Sequence, residues 1–224
     1  MENRTAKANV ALIEKCVMSS LGIKSLFNAF PDCPFKLHVF PAQSAFQNAI
    51  LQIPFTAAIF SLSAVREDRR VGLASIAELA VNFPHIRRLV IADDDMKAHL
   101  ISSLSPSPLD GIVSKNLSLE EFQEKLLSLL LTHRQLPGAQ PTQSTAGQGR
   151  MLSPTEREIL RFMSHGYSMP DIAVRLQRNI KTIRAHKFNV MTKLGVTSDA
   201  GLLDAADILL SFRTCDAGCL RHNA

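Results

Sequence analysis

The chain has 224 residues, a formal net charge of +5, 6% aromatic residues with one Tyr and no Trp, and four cysteines. No apolar run approaches the roughly 20 residues needed to span a bilayer, and residues 1–9 show no apolar stretch behind their charges, which argues against a membrane or secreted protein. Cys16, Cys33, Cys215 and Cys219 are too sparse for a disulfide framework and suit a reducing, cytoplasmic setting.

The length accommodates one domain of ordinary size and a smaller second one. Charge separates them: residues 1–132 carry 13 Lys or Arg against 13 Asp or Glu, whereas residues 150–224 carry 11 against 7. The cationic surplus therefore lies at the C-terminal end, where a polyanion would be met.

In chain order, β-rich runs at 10–13, 37–40, 57–60, 89–91 and 112–113 each precede a helical pattern, the first reaching Phe27 and the rest covering 45–51, 73–83, 96–104 and 119–130. Five strands alternating with five helices predict a flavodoxin-like, doubly wound parallel sheet over residues 1–133. Ser118 and Glu121 have the spacing of a capping box at the last helix. Such a sheet gathers its site at the carboxyl ends of the strands. Residues 134–149, rich in Gly, Pro, Gln, Ser and Thr, read as a linker.

Beyond it, 150–213 carries three capped helical patterns and a fourth helix, ahead of a tail at 214–224. Ser153, Pro154 and Glu156 open the first pattern, whose stripe is Ile159, Leu160, Phe162 and Met163, and Gly166 ends it. Ser168, Pro170 and Asp171 open a short second one that buries Ile172, Ala173 and Leu176. Asn179 caps the third, in which Ile180, Ile183, Val190, Met191 and Leu194 share one face and Lys181, Thr182, Arg184, Ala185 and Phe188 face outward. Arg175, Arg178, Lys181, Arg184, Lys187 and Lys193 are six cations in a stretch without Asp or Glu. Lone signs on a helix suit phosphate contacts, whereas a solvated helix usually mixes them. An ordinary amphipathic helix with a cationic face is the plainer alternative.

Together LSPTEREIL, the Gly166 turn, DIAVRL, IKTIRAH and KLGV resemble the LuxR/FixJ-type helix-turn-helix regulators, and the α/β unit ahead of them resembles a response-regulator receiver. The resemblance implies a DNA-binding transcription activator. A receiver needs two acids after its first strand, a phosphate-accepting Asp after the third, a hydroxyl after the fourth and a Lys after the fifth. Here Glu14 and Lys15 stand at the acid pair, Ser61 at the acceptor and Ala92 at the hydroxyl, and only Lys115 is kept. A hard cation wants several carboxylate oxygens, and Lys15 brings a second ammonium instead, which can pair with Glu14. The pocket is read as a degenerate phosphoacceptor site, and the first unit as a pseudo-receiver acting without its own phosphorylation. Asp93, Asp94 and Asp95 read as a solvated loop that caps the next helix, and Asp68 as surface.

At the DNA, Lys181, Arg184, Ala185 and Phe188 are the base-facing candidates, Arg178, Lys187 and Lys193 the phosphate contacts, and Thr182 a further DNA-binding residue. A single domain offers few contacts, so pairing is expected through Leu202, Leu203, Ala206, Leu209 and Leu210 on the fourth helix, unless that stripe only closes the domain's own core. The resemblance implies a heterodimer with a phosphorylatable response regulator of the same family, double-stranded DNA as target and RNA polymerase as a further contact.

A homodimeric regulator and an interaction-only adaptor that sequesters a partner are the rivals. An acyl-homoserine lactone receptor fits less well, given the receiver-like alternation of strands and helices. Neither a Gly-rich phosphate loop nor a nucleophile elbow supports an enzyme, and no cofactor is expected. His38, His85, His99, His133, His165 and His186 are scattered. Cys215, Cys219 and His222 lack a fourth ligand, so no metal is expected.

Overall fold

A computed structural model describes residues 7–105, 109–132 and 152–218, with side chains in the last helix described up to residue 210. The expected linker at 134–149, and Cys219 and His222 of the tail, lie outside the described residues; Cys215 lies beyond the described side chains. The chain divides into two compact units, residues 1–98 with 107–133 and residues 134–224 with 99–106.

The first unit alternates strand and helix throughout: β1 Ala8–Ile13, α1 Val17–Ala29, β2 Phe35–Phe40, α2 Gln43–Ile50, β3 Phe55–Ser61, α3 Arg66–Asn82, β4 Arg87–Ala92, α4 Asp95–Leu104, β5 Gly111–Ser114 and α5 Leu119–Leu131. In sequence, α4 crosses the boundary between the units. All four strand pairings are parallel, in the order β2-β1-β3-β4-β5. The expected doubly wound sheet is therefore present, with β1 at its topological switch point.

Val10, Leu12, Ala57, Ile59, Leu89, Ile91 and Val113 form the core with Ile23, Phe27, Phe122, Leu126 and Leu130. Central strands sandwiched by helices must be apolar on both faces, which is why β1, β3 and β4 read as continuous rather than alternating runs. The Ser118–Glu121 box is formed as expected. The largest boundary difference is at α3, which begins at Arg66, well before the expected residue 73. Glu67 and Asp68 occupy its first turn, where carboxylates favour the positive end of the helix dipole.

The second unit supplies four consecutive helices: α6 Pro154–Ser164, α7 Met169–Arg175, α8 Ile180–Leu194 and α9 Asp199–Gly218. Ile159, Leu160, Ile172, Ile183, Val190, Leu202, Ala205, Ala206 and Ile208 are buried among them. Phe162, Leu176, Ile180 and Met191, expected inside, are only partly buried. No helix among the described residues is long and apolar enough to cross a membrane.

Candidate nucleic-acid interface

Local sequence fixes where α8 begins and ends. Ser153 and Glu156 form a complete capping box at α6, and Ser168 and Asp171 a second at α7. Hydrogen bonds from Ser168 hold the Asp171 carboxyl below its ordinary value. Between α7 and α8 the chain turns through Gln177, whose φ of 51° places it in the left-handed region. Asn179 then caps α8, its Oδ1 accepting from the Lys181 amide at 2.8 Å. Gly195, at φ 69°, closes the helix in the conformation that glycine adopts without steric cost. Arg175 is anchored over the Tyr167 ring, 4.1 Å from its centroid, while Tyr167 meets Phe162 edge-on.

Burial of Ile183, Val190 and Leu194 turns one face of α8 inward, and Arg178, Lys181, Thr182, Arg184, Ala185 and Phe188 are exposed. Phe188 is 69% exposed, a large apolar ring held in water. No ion pair engages Arg178, Lys181 or Arg184 among the described residues.

Two of the expected phosphate contacts stand differently. The Lys193 ammonium lies 2.8 and 2.7 Å from the two oxygens of Glu156, a carboxylate that is itself buried. Burial raises the Glu156 carboxyl, but the hydrogen bonds and charge from Lys193, together with Ser153, outweigh it and bring it below the ordinary value. Lys193 thus ties the end of α8 to the start of α6 and leaves the phosphate set. Lys187, whose stem is largely covered, pairs with Asp199 at 2.6 Å rather than standing free. Lys187 and Lys193, expected to be uncompensated, are thus neutralised from α9 and α6.

The degenerate phosphoacceptor residues do meet at the carboxyl end of the sheet. Glu14 is buried; its Oε1 accepts from the Cys16 amide at 2.8 Å, and its Oε2 accepts from Ser19 Oγ at 2.7 Å and from Ser61 Oγ at 2.5 Å. Ser61, at the position expected of the acceptor, therefore donates to Glu14, and Ala92 contributes only a buried methyl. Lys15 was expected to pair with Glu14, but its ammonium lies 2.9 Å from Asp68 on α3. Lys115 pairs with Asp93 at 3.1 Å, and Lys97 holds Asp93 at 3.3 Å and Asp94 at 3.5 Å. Asp94 also accepts from the Lys97 amide at 2.7 Å, the helix-capping role expected of this triplet, but Asp93 is an ion-pair partner and not a solvated loop residue. Lys15 and Lys115 thus pair with carboxylates other than Glu14, and no group of metal ligands forms among the described residues.

On α9 the expected pairing stripe splits. Leu202 and Ala206 are fully buried inside the unit, so they close its own core; Leu203, Leu209 and Leu210 are partly exposed. Ser198 Oγ accepts from the Gly201 amide at 3.2 Å at the start of the helix.

The model of the family described as bacterial regulatory proteins, luxR family, matches residues 150–206. Over 220 residues the chain is 60% identical to the transcriptional activator protein BglJ of Escherichia coli K12, covering 98% of each chain. This protein belongs to the luxR family of bacterial regulatory proteins. The luxR-family regulator is also 30% identical to the transcriptional regulatory protein RcsB of E. coli K12 over 138 residues, which cover 59% of this chain and 63% of RcsB. Its fold matches RcsB from Salmonella enterica serovar Typhimurium bound to the P1flhDC promoter, with a TM-score of 0.70, 24% identity and coverage of 91% and 99%. The regulator is thus a homologue of a transcriptional activator over its whole length, with a receiver-like α/β unit followed by a luxR-family helical domain.

Four acids that sequence reading left unassigned to the site, Glu156, Asp199, Asp68 and Asp93, decide which cations stay free. Their lysine partners are 37, 12, 53 and 22 residues away, beyond any local periodicity.

Proposed function

We propose that this chain is a DNA-binding transcription activator that works independently of phosphorylation of its own receiver-like unit, as a heterodimer with an RcsB-like response regulator. The observation that carries the DNA reading is the outward face of α8, where Arg178, Lys181 and Arg184 stand exposed beside Ala185 and Phe188. Arg184 is assigned to a bidentate pair with guanine, Ala185 and Phe188 to thymine methyls, Lys181 and Thr182 to the same groove, and Arg178 to a phosphate. Three free cations cap the salt slope at about 3 per domain, too small for tight binding by one copy. Pairing is therefore part of the reading, through the partly exposed Leu203, Leu209 and Leu210 and through the receiver-like unit.

Independence from phosphorylation is supported by chemistry at the strand ends. An aspartyl phosphate needs an aspartate, and Ser61 occupies that position with its hydroxyl turned to Glu14. The choice of an RcsB-like partner rests on the whole-length similarity to BglJ. Contact with RNA polymerase follows from the activator reading. Co-purification of the chain with RcsB tests it: a stable 1:1 complex that shifts promoter DNA at concentrations where neither protein alone does so is expected. A tight homodimer–DNA complex, with no gain on adding RcsB, contradicts it.

A further inference from the structure

Lys187 and Lys193 both form ion pairs, but the pairs differ in what surrounds them. Glu156 is buried, so its pair with Lys193 is shielded from solvent on the carboxylate side. Asp199 is 68% exposed at the first residue of α9, and both its oxygens reach Lys187, at 2.6 and 2.7 Å. The Lys187 stem is only 20% exposed, which keeps its ammonium close to the helix flank. It lies three residues beyond Arg184, one helical turn along α8. Asp199 is also the first acid in sequence after Asp171, so the whole stretch through α8 is otherwise free of negative charge.

We propose that Asp199 is a competitor for the DNA backbone built into the domain: its carboxylate occupies Lys187 in place of a phosphodiester and holds down affinity for duplex DNA. An exposed pair contributes no more than about 1 kcal/mol, so a phosphate can exchange for it. Exchange leaves Asp199 unpaired beside the phosphates, and failure to exchange leaves Lys187 neutralised. Either way the pair presents no net charge to DNA. The inference presupposes that α8 faces DNA, and the test separates the two.

The full-length chain is titrated with a mixed-sequence 30-base-pair duplex by fluorescence anisotropy over a range of salt concentrations, because the phosphate contribution is independent of sequence. One net charge corresponds to a slope of about 0.9, or about eightfold in affinity at 0.1 M salt relative to 1 M. Asp199→Asn is expected to steepen the slope by about 0.9 and tighten binding about eightfold; Lys187→Gln is expected to do the opposite. The double variant carries no net charge at the pair, so it returns to within about twofold of wild type. Asp199→Ser removes the same charge, leaves the Ser198–Gly201 cap in place and serves as the second neutral variant. If both neutral variants bind as wild type, and the double variant follows Lys187→Gln, the inference is overturned while the α8 reading stands. If the wild-type chain shows no salt-dependent binding at low salt, the α8 reading fails and the inference falls with it.

Discussion

Replacing Lys193 with Met keeps the aliphatic stem and removes the ammonium, leaving the Glu156 carboxylate, 3% exposed, with Ser153, whose amide donates at 2.7 Å and whose side chain also hydrogen-bonds it. Removing one partner of a buried pair costs about 3–5 kcal/mol. The Lys193 side chain is 24% exposed and the Ser153 amide still satisfies one oxygen, which brings the expected loss to about 2–3 kcal/mol. For a domain of this size that lowers the melting temperature by about 10–20 °C. Tyr167 is the only Tyr in a chain without Trp, and it packs within the luxR-family domain, so its fluorescence follows that domain's unfolding alone. The pH dependence has a definite sign. Because the Glu156 carboxyl lies below its ordinary value of 4.5 in the folded state, its contribution is complete above that pH and lost as pH falls through the lowered value. Lys193→Met should shrink this acid-side loss, and the Glu156→Gln/Lys193→Met pair should regain at least half the stability lost in the single variant. A melting temperature within about 3 °C of wild type for Lys193→Met, or an unaltered acid limb, would refute the assignment of this pair as an interior tie.

Arg184→Ala should cost about 1–3 kcal/mol on a cognate site and relax preference at one base pair, measured by competition with single-base operator variants. Arg178→Ala should weaken binding nearly uniformly across sequences and lower the salt slope by about 0.9, read in the anisotropy titration. Incubation with acetyl phosphate should leave the intact mass unchanged, because no carboxylate stands at Ser61. Leu203→Asp should weaken association, seen by sedimentation, with the Tyr167 melting curve preserved. Leu202→Asp, by contrast, should unfold the luxR-family domain, because that side chain is fully buried.

Features set by near neighbours in sequence were legible before the structure. The boxes at Ser118, Ser153 and Ser168 involve residues three apart, and α8's inward face follows helical periodicity. Strand and helix alternation specified the parallel sheet for the same reason. The partners of Lys15, Lys115, Lys187 and Lys193 were not legible, since tertiary packing alone brings Asp68, Asp93, Asp199 and Glu156 to them. A count of six cations without acids therefore overstated the charge open to phosphate. The α9 stripe could not be divided from sequence either, because Leu202 and Leu203 are equally apolar and only packing buries the first completely.

The measurement that tests the central claim most directly is a salt-controlled band shift on a candidate promoter, with the chain alone, RcsB alone and the mixture, and sedimentation to count subunits. Tight, specific binding confined to the mixture, and lost when Lys181 and Arg184 are replaced, is the predicted result. Equal binding by the chain alone, or an undiminished shift by the Lys181 and Arg184 variant in the mixture, would contradict it.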